Sequence, residues 1–204
     1  MALLSILLVS GIAAAAGPAF WPDAPEPPAS GRAGTRLPAS YDEALRTWRS
    51  PEDIAGWAGS RFVYHTERAL KLSETGRREG GAPGILAPGD LFADPSGTCL
   101  DLARFGVETL QRIDPAAGPR YLMIEFEPVQ VQGVILRRHW LATFRRDGAV
   151  YAFADSKRPR HVDGPYADTA ELVAAYERYR GRKIVRFQEA DTFVRRPRTS
   201  RPHG

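Results

Sequence analysis

Apolar residues along the chain recur at two different intervals, and the change between them orders the folded part. Ile54, Trp57 and Ala58 follow Ser50-Pro51-Glu52-Asp53 at helical spacing, behind an N-cap serine, a first-turn proline and acids at the positive helix end. Arg61 to His65 reads as extended, Thr66 to about Thr75 as a further helix, and Gly76 to Gly97 as loop-rich. Thr98-Cys99-Leu100-Asp101 has the form of a capping box, and Leu100, Ala103, Val107 and Leu110 then repeat at helical spacing, so Cys99 opens a helix. Gly106 lies inside that helix at a cost of roughly 1 kcal/mol relative to Ala, so a neighbour is expected to pack closely there.

From Tyr121 the interval falls to two, with Leu122, Ile124 and Phe126 on one side and Tyr121, Met123, Glu125 and Glu127 on the other. A turn near Gly133 leads to a second strand from Val134 to about Phe144, and a third covers Val150 to Asp155. Asp168-Thr169-Ala170-Glu171 caps another helix that Gly181 ends, and Ile184 to Phe187 reads as a last strand. Helices first and an antiparallel sheet afterwards define an α+β class, with the Cys99 helix packed on the sheet.

The ends differ from this middle. Positions 1–16 carry no ionisable side chain, and Ala14 and Ala16 before Gly17 form an A-x-A site, which predicts a cleaved export signal or, uncut, a membrane anchor. Positions 17–40 are rich in proline and small residues and read as an extended linker. Positions 191–204 read as a disordered basic tail, leaving 41–190 as one domain. The expected location is periplasmic or extracellular, with membrane contact only if the first segment is retained. Net charge is +4 and the pI about 9.4, but much of the excess sits in the tail, so no specific nucleic-acid partner is expected.

Cys99 is the chain's one cysteine, so no internal disulfide exists to explain it. Position alone leaves burial as a small hydrophobe open beside nucleophilic use. The helix start favours the second, because unsatisfied N–H groups and the macrodipole favour thiolate, and the backbone N–H is free to hold an oxyanion. Of four histidines, His139 alone lies within a well-patterned late strand, and Asp155 ends the neighbouring one among apolar residues, where an isolated carboxylate is costly.

Gly97-x-Cys99-x-Asp101-x-Ala103 opening a helix, His139 in a strand, Asp155 closing the next, and Pro51-x-x-Ile54-x-x-Trp57 upstream together resemble the transglutaminase-like superfamily of papain-related cysteine enzymes. Two positions depart from the usual pattern: Trp140 is adjacent to His139 rather than two residues beyond it, and Ser156 rather than proline follows Asp155. The resemblance implies a papain/transglutaminase-like fold with Cys99 as nucleophile, His139 as general base and then acid, and Asp155 orienting the imidazole. It also implies an upstream oxyanion donor, for which Tyr64 is the first candidate and Trp57 the second. The implied activity is thiol acyl transfer on a protein or peptide substrate through a thioester. Water as acceptor makes a cysteine peptidase or amidase, the reading an exported chain favours, and an amine makes a transglutaminase; a catalytically silent binding module is the other alternative. No cofactor and no metal are expected, since a metal site from Cys99, His139 and Asp155 would lack close ligand pairs.

The loop between the last two catalytic strands then fixes a register. A two-residue Asp147-Gly148 loop would pair Arg146 with Ala149, set Trp140 opposite Asp155 and leave His139 on the other face. A three-residue loop from Arg146 to Gly148 pairs Arg145 with Ala149 and His139 with Asp155, and matches large to small along the other face; it is the expected arrangement.

Overall fold

The computed structural model describes residues 21–26, 37–80 and 83–192; the export-signal reading of 1–16 lies outside them, as does nearly all of the tail. Among the described residues five helices come first: α1 (Tyr41–Thr47), α2 (Pro51–Arg61), α3 (Thr66–Leu72), α4 (Glu74–Gly80) and α5 (Pro88–Ala93). Two short strands among them, β1 (Val63–Tyr64) and β2 (Ser96–Gly97), pair in parallel and place Tyr64 beside the start of the long helix α6 (Cys99–Ile113). Then come β3 (Arg120–Val131), β4 (Val134–Arg146), β5 (Ala149–Phe153), β6 (Asp163–Tyr166), helix α7 (Thr169–Arg180) and β7 (Ile184–Ala190). The sheet order is β6-β5-β4-β3-β7 with every neighbouring pair antiparallel. None of the described helices is long and apolar enough to cross a membrane.

The class is α+β, and the sheet is covered on both faces. Leu102, Phe105 and Leu110 of α6 are fully buried in a cluster with Trp48, Trp57, Tyr121, Ala142, Phe144, Phe153 and Ala154. Each such side chain contributes roughly 1.5–3 kcal/mol on burial. Leu172, Val173 and Tyr176 of α7 close the opposite face over Leu122, Ile124, Phe126, Leu141, Val150 and Ala152. Alternation along β4 therefore sends Ala142 and Phe144 towards α6, and Leu141, with His139 two residues before it, towards α7.

Local chemistry explains the element ends. Ser50 caps α2 in a reciprocal box with Asp53, Asp168 caps α7 by accepting from the Glu171 N–H, and Gly181, with φ of 58°, ends α7 left-handed. Helices α1, α4 and α5, not expected from the sequence, are each under two turns, too short for a periodic stripe to show, and α4 and α5 lie largely in the stretch read as loop-rich.

The β4–β5 register differs from the expected one. Arg146 pairs with Ala149, and the ladder continues through Phe144–Tyr151 and Thr143–Ala152 to Ala142–Phe153. Asp147 and Gly148 form the whole loop, with φ of 52° and 79°. Positive φ at both positions is a type I′ turn, whose twist matches that of the flanking strands and which Asp-Gly readily adopts. Continued unbroken, this register would have carried Asp155 away from His139. It is broken at Ala154, a non-glycine residue with φ of 52°. The left-handed residue reverses the alternation, so that Phe153 and Ala154 both join the cluster under α6, and Asp155 emerges on the His139 side.

Candidate active site

Thr98 and Asp101 set the position of Cys99. One Asp101 oxygen accepts from the Thr98 N–H at 2.9 Å and from the Thr98 hydroxyl at 2.8 Å, which fixes the first turn of α6 with Cys99 as its first residue. The fully buried Asp101 also accepts from Arg68 through Nε and Nη2, each at 2.8 Å, and from the Leu86 N–H at 2.8 Å. Burial works against this carboxylate, but Arg68 and the N–H donors outweigh it and hold its pKa below the ordinary 3.8. Cys99 itself is buried and unpaired with any thiol.

His139 is wholly buried on β4. Its Nε2 meets Asp155 Oδ1 at 2.8 Å, and its ring stacks on Tyr176 at 5.9 Å between centroids. Asp155 is held in turn by the Tyr176 hydroxyl, which donates to Oδ2 at 3.0 Å, and by the Lys157 N–H, which donates to Oδ1 at 2.9 Å. The β4–β5 ladder ends at Ala142–Phe153, so His139 has no β5 partner beside it. There the Cys99 sulfur, a His139 ring nitrogen and an Asp23 carboxylate oxygen all lie within 4.8 Å of one another.

Asp23 is the member the sequence reading missed. It lies in Trp21–Glu26, part of the stretch read as an extended linker, yet it is 5 % exposed and its Oδ1 sits 3.2 Å from His139 Nδ1. That nitrogen has no aligned hydrogen-bond partner among the described residues. Arg180 Nη2 donates to the same Asp23 oxygen and to the Pro22 carbonyl, each at 2.8 Å, while its Nη1 donates to the Tyr176 hydroxyl at 2.9 Å. Ser156, which follows Asp155, donates its hydroxyl to the Asp23 carbonyl at 2.9 Å. The sequence signals were faint: a tryptophan inside a proline-rich stretch, and Tyr176 and Arg180 four apart on α7.

Two buried carboxylates flank one imidazole, and this sets all three protonation states. Burial opposes charge on His139, but Asp23 and Asp155 outweigh it and raise its pKa well above the ordinary 6.5. Burial likewise opposes the charges on Asp23 and Asp155; His139 and Arg180 outweigh it and hold both below 3.8. The imidazolium's contribution to stability is complete below about pH 6.5 and is lost as pH rises through its higher folded value. The carboxylates contribute above about pH 3.8 and lose their share as pH falls through their lower folded values. From these groups, urea denaturation is expected to show greatest stability between those limits and a decline on the alkaline side with a slope of up to about 1.4 kcal/mol per pH unit. His139→Gln is expected to flatten the alkaline decline; an unchanged slope would assign it to other groups.

Tyr64, the first oxyanion candidate, lines the same hollow as Cys99, Leu72, Arg138 and Trp140. Burial, with the nearby Cys99 and Asp23, raises its pKa well above 10, so the phenol keeps its proton. Trp57 is placed elsewhere: it stacks on Phe92 at 5.1 Å and lies 4.5 Å from Phe105 in the core, outside the hollow at Cys99. The ligand set that a thiophilic cation would meet is Asp23, Cys99 and His139 rather than one including Asp155, and the Arg180 guanidinium on the same Asp23 oxygen opposes a second cation there. No known protein-family model and no curated protein matches this chain.

Proposed function

We propose that the protein is a thiol acyl-transfer enzyme of the papain/transglutaminase-like kind, acting on amide bonds of a protein or peptide as a cysteine peptidase or amidase. The observation that supports this most is the arrangement about one imidazole: Nε2 bound to Asp155 at 2.8 Å, with the Cys99 sulfur at the start of α6 within 4.8 Å of the ring. In this reading the Cys99 thiolate attacks the amide carbon, and the oxyanion accepts from the Cys99 backbone N–H and the Tyr64 hydroxyl. The tetrahedral adduct collapses to a thioester as His139, through the nitrogen not bound to Asp155, gives its proton to the leaving amine. Water then loses a proton to the same nitrogen while attacking the thioester, and the adduct collapses to the carboxylic acid with the Cys99 thiolate and protonated His139 restored. An amine in place of water would give a new amide and a transglutaminase.

The test is the rate of Cys99 alkylation by iodoacetamide at pH 7, in the wild type and in a chain carrying Asp23→Ala, since the Asp23 carboxylate stands beside both reacting groups. Adding His139→Ala is expected to slow labelling on the order of ten-fold or more in at least one background. Equal rates with and without His139 in both would overturn the reading. Release of a free carboxylate, against formation of a new amide with an added amine, then separates hydrolysis from transfer.

A further inference from the structure

The catalytic reading leaves one buried charge unused. Asp23 comes from the segment before the domain, and nothing in the acyl-transfer chemistry calls for a second carboxylate on the histidine. Its oxygen lies within 4.8 Å of both the Cys99 sulfur and a His139 ring nitrogen. A scissile amide must occupy that space for its nitrogen to take a proton from His139, and after hydrolysis the product carboxylate would stand there. The segment is fastened rather than merely adjacent: Arg180 holds the Pro22 carbonyl and the Asp23 side chain, Ser156 the Asp23 carbonyl, the Glu26 N–H donates to the Lys157 carbonyl at 3.0 Å, and the Trp21 ring lies 6.4 Å from Tyr64.

Resting on the Cys99–His139 reading, we propose that Trp21–Glu26 is an intramolecular inhibitor, with the Asp23 carboxylate standing in for the carboxylate product, and that the site vacated by Asp23 takes carboxylate ligands through Arg180 and His139. Inhibition acts in two ways. The side chain fills the place of the scissile group. It also supplies the anion beside His139 Nδ1 that the Cys99 thiolate would otherwise supply, and it repels that thiolate at short range. Withdrawal of the segment leaves Arg180, whose side chain is 3 % exposed, without its carboxylate partner, which is the electrostatic basis for carboxylate binding.

The test uses the full chain and the iodoacetamide rate of Cys99 at pH 7. Asp23→Ala is expected to label on the order of ten-fold faster than wild type. Sodium acetate, against sodium chloride at equal ionic strength, is expected to return the variant's rate towards that of the wild type and to leave the wild type unaffected. A folded Asp23→Ala no faster than wild type, or one that acetate does not slow, overturns the proposal. If that variant does not fold, Asp23→Asn keeps the side-chain volume and reads the charge alone: faster labelling supports the proposal and the wild-type rate overturns it. Adding His139→Ala to Asp23→Ala separates the two readings. Fast labelling that persists without His139 leaves the segment as a shield over a thiol that is no catalytic nucleophile. Fast, His139-dependent labelling of the wild type, to which Asp23→Ala adds nothing, leaves the thiol enzyme and removes the inhibitor.

Discussion

Asp101→Ala is expected to destabilise the fold by about 3–5 kcal/mol, the cost of breaking a buried ion pair from one side. The carboxylate is fully buried and takes five hydrogen bonds: two from Arg68, two from Thr98 and one from the Leu86 N–H. Alanine would leave the Arg68 guanidinium, whose side chain is 14 % exposed, without its carboxylate partner, and would free the Thr98 and Leu86 N–H groups without acceptors. Asp101→Asn keeps the shape but not the charge and turns one end into a donor, so a smaller loss is expected. Urea denaturation of both variants at pH 7 checks the order. A loss below about 1 kcal/mol for Asp101→Ala would mean that water reaches these donors and that the α6 start is not held as described. Because Cys99 sits within the same capped turn, its labelling rate is expected to shift with Asp101.

Gly106→Val is expected to lower stability by roughly 1–3 kcal/mol or more through overpacking and to separate His139 from Asp155 as well. A Cβ at position 106 would stand 2.5 Å from the Ala154 Cβ and 3.3 Å from both the Ala142 Cβ and the Phe153 ring. None of these is the free end of a long side chain, so the helix or the sheet must move. Ala154 is the left-handed residue that turns Asp155 towards His139, and displacing it shifts the carboxylate at the next position. The expected readouts are a reduced midpoint of thermal unfolding and a histidine NMR signal for His139 that titrates nearer its ordinary value. Gly106→Ala, in which part of the clash is offset by about 1 kcal/mol of helix propensity, is expected to show the same direction at smaller size. Wild-type stability and an unshifted His139 signal in the valine variant would show that the sheet accommodates a side chain at position 106 without displacing Ala154.

Much of the arrangement was legible because it is local. Ser50, Thr98 and Asp168 cap helices through contacts three residues away, so their sequences carry the helix starts directly, Cys99 among them. The period of two from Tyr121 places β3, and the central glycine of α6 announced a close neighbour without saying which. The Asp147-Gly148 pair also carried its own answer, a two-residue type I′ turn; the expected three-residue loop assumed that His139 and Asp155 must meet as cross-strand partners. They meet instead through the reversal at Ala154, which is stable only because Gly106, on another element, has no side chain there.

What only the tertiary structure decided follows from the same distinction. Trp57 and Tyr64 are both aromatic residues upstream of Cys99; the apolar stripe that Trp57 shares with Ile54 and Ala58 is a local sign of the core, where it packs against Phe92 and Phe105, but nothing beside Tyr64 in the sequence shows that the β1–β2 pair takes it to the thiol. Asp23 looked like one polar residue in a proline-rich stretch, because its partners His139, Ser156 and Arg180 all lie far along the chain. A cap or a strand is set by residues that stay neighbours whatever the fold does. A buried charge network exists only once distant segments have been brought together and water excluded, so its members carry no local pattern by which the sequence alone could mark them.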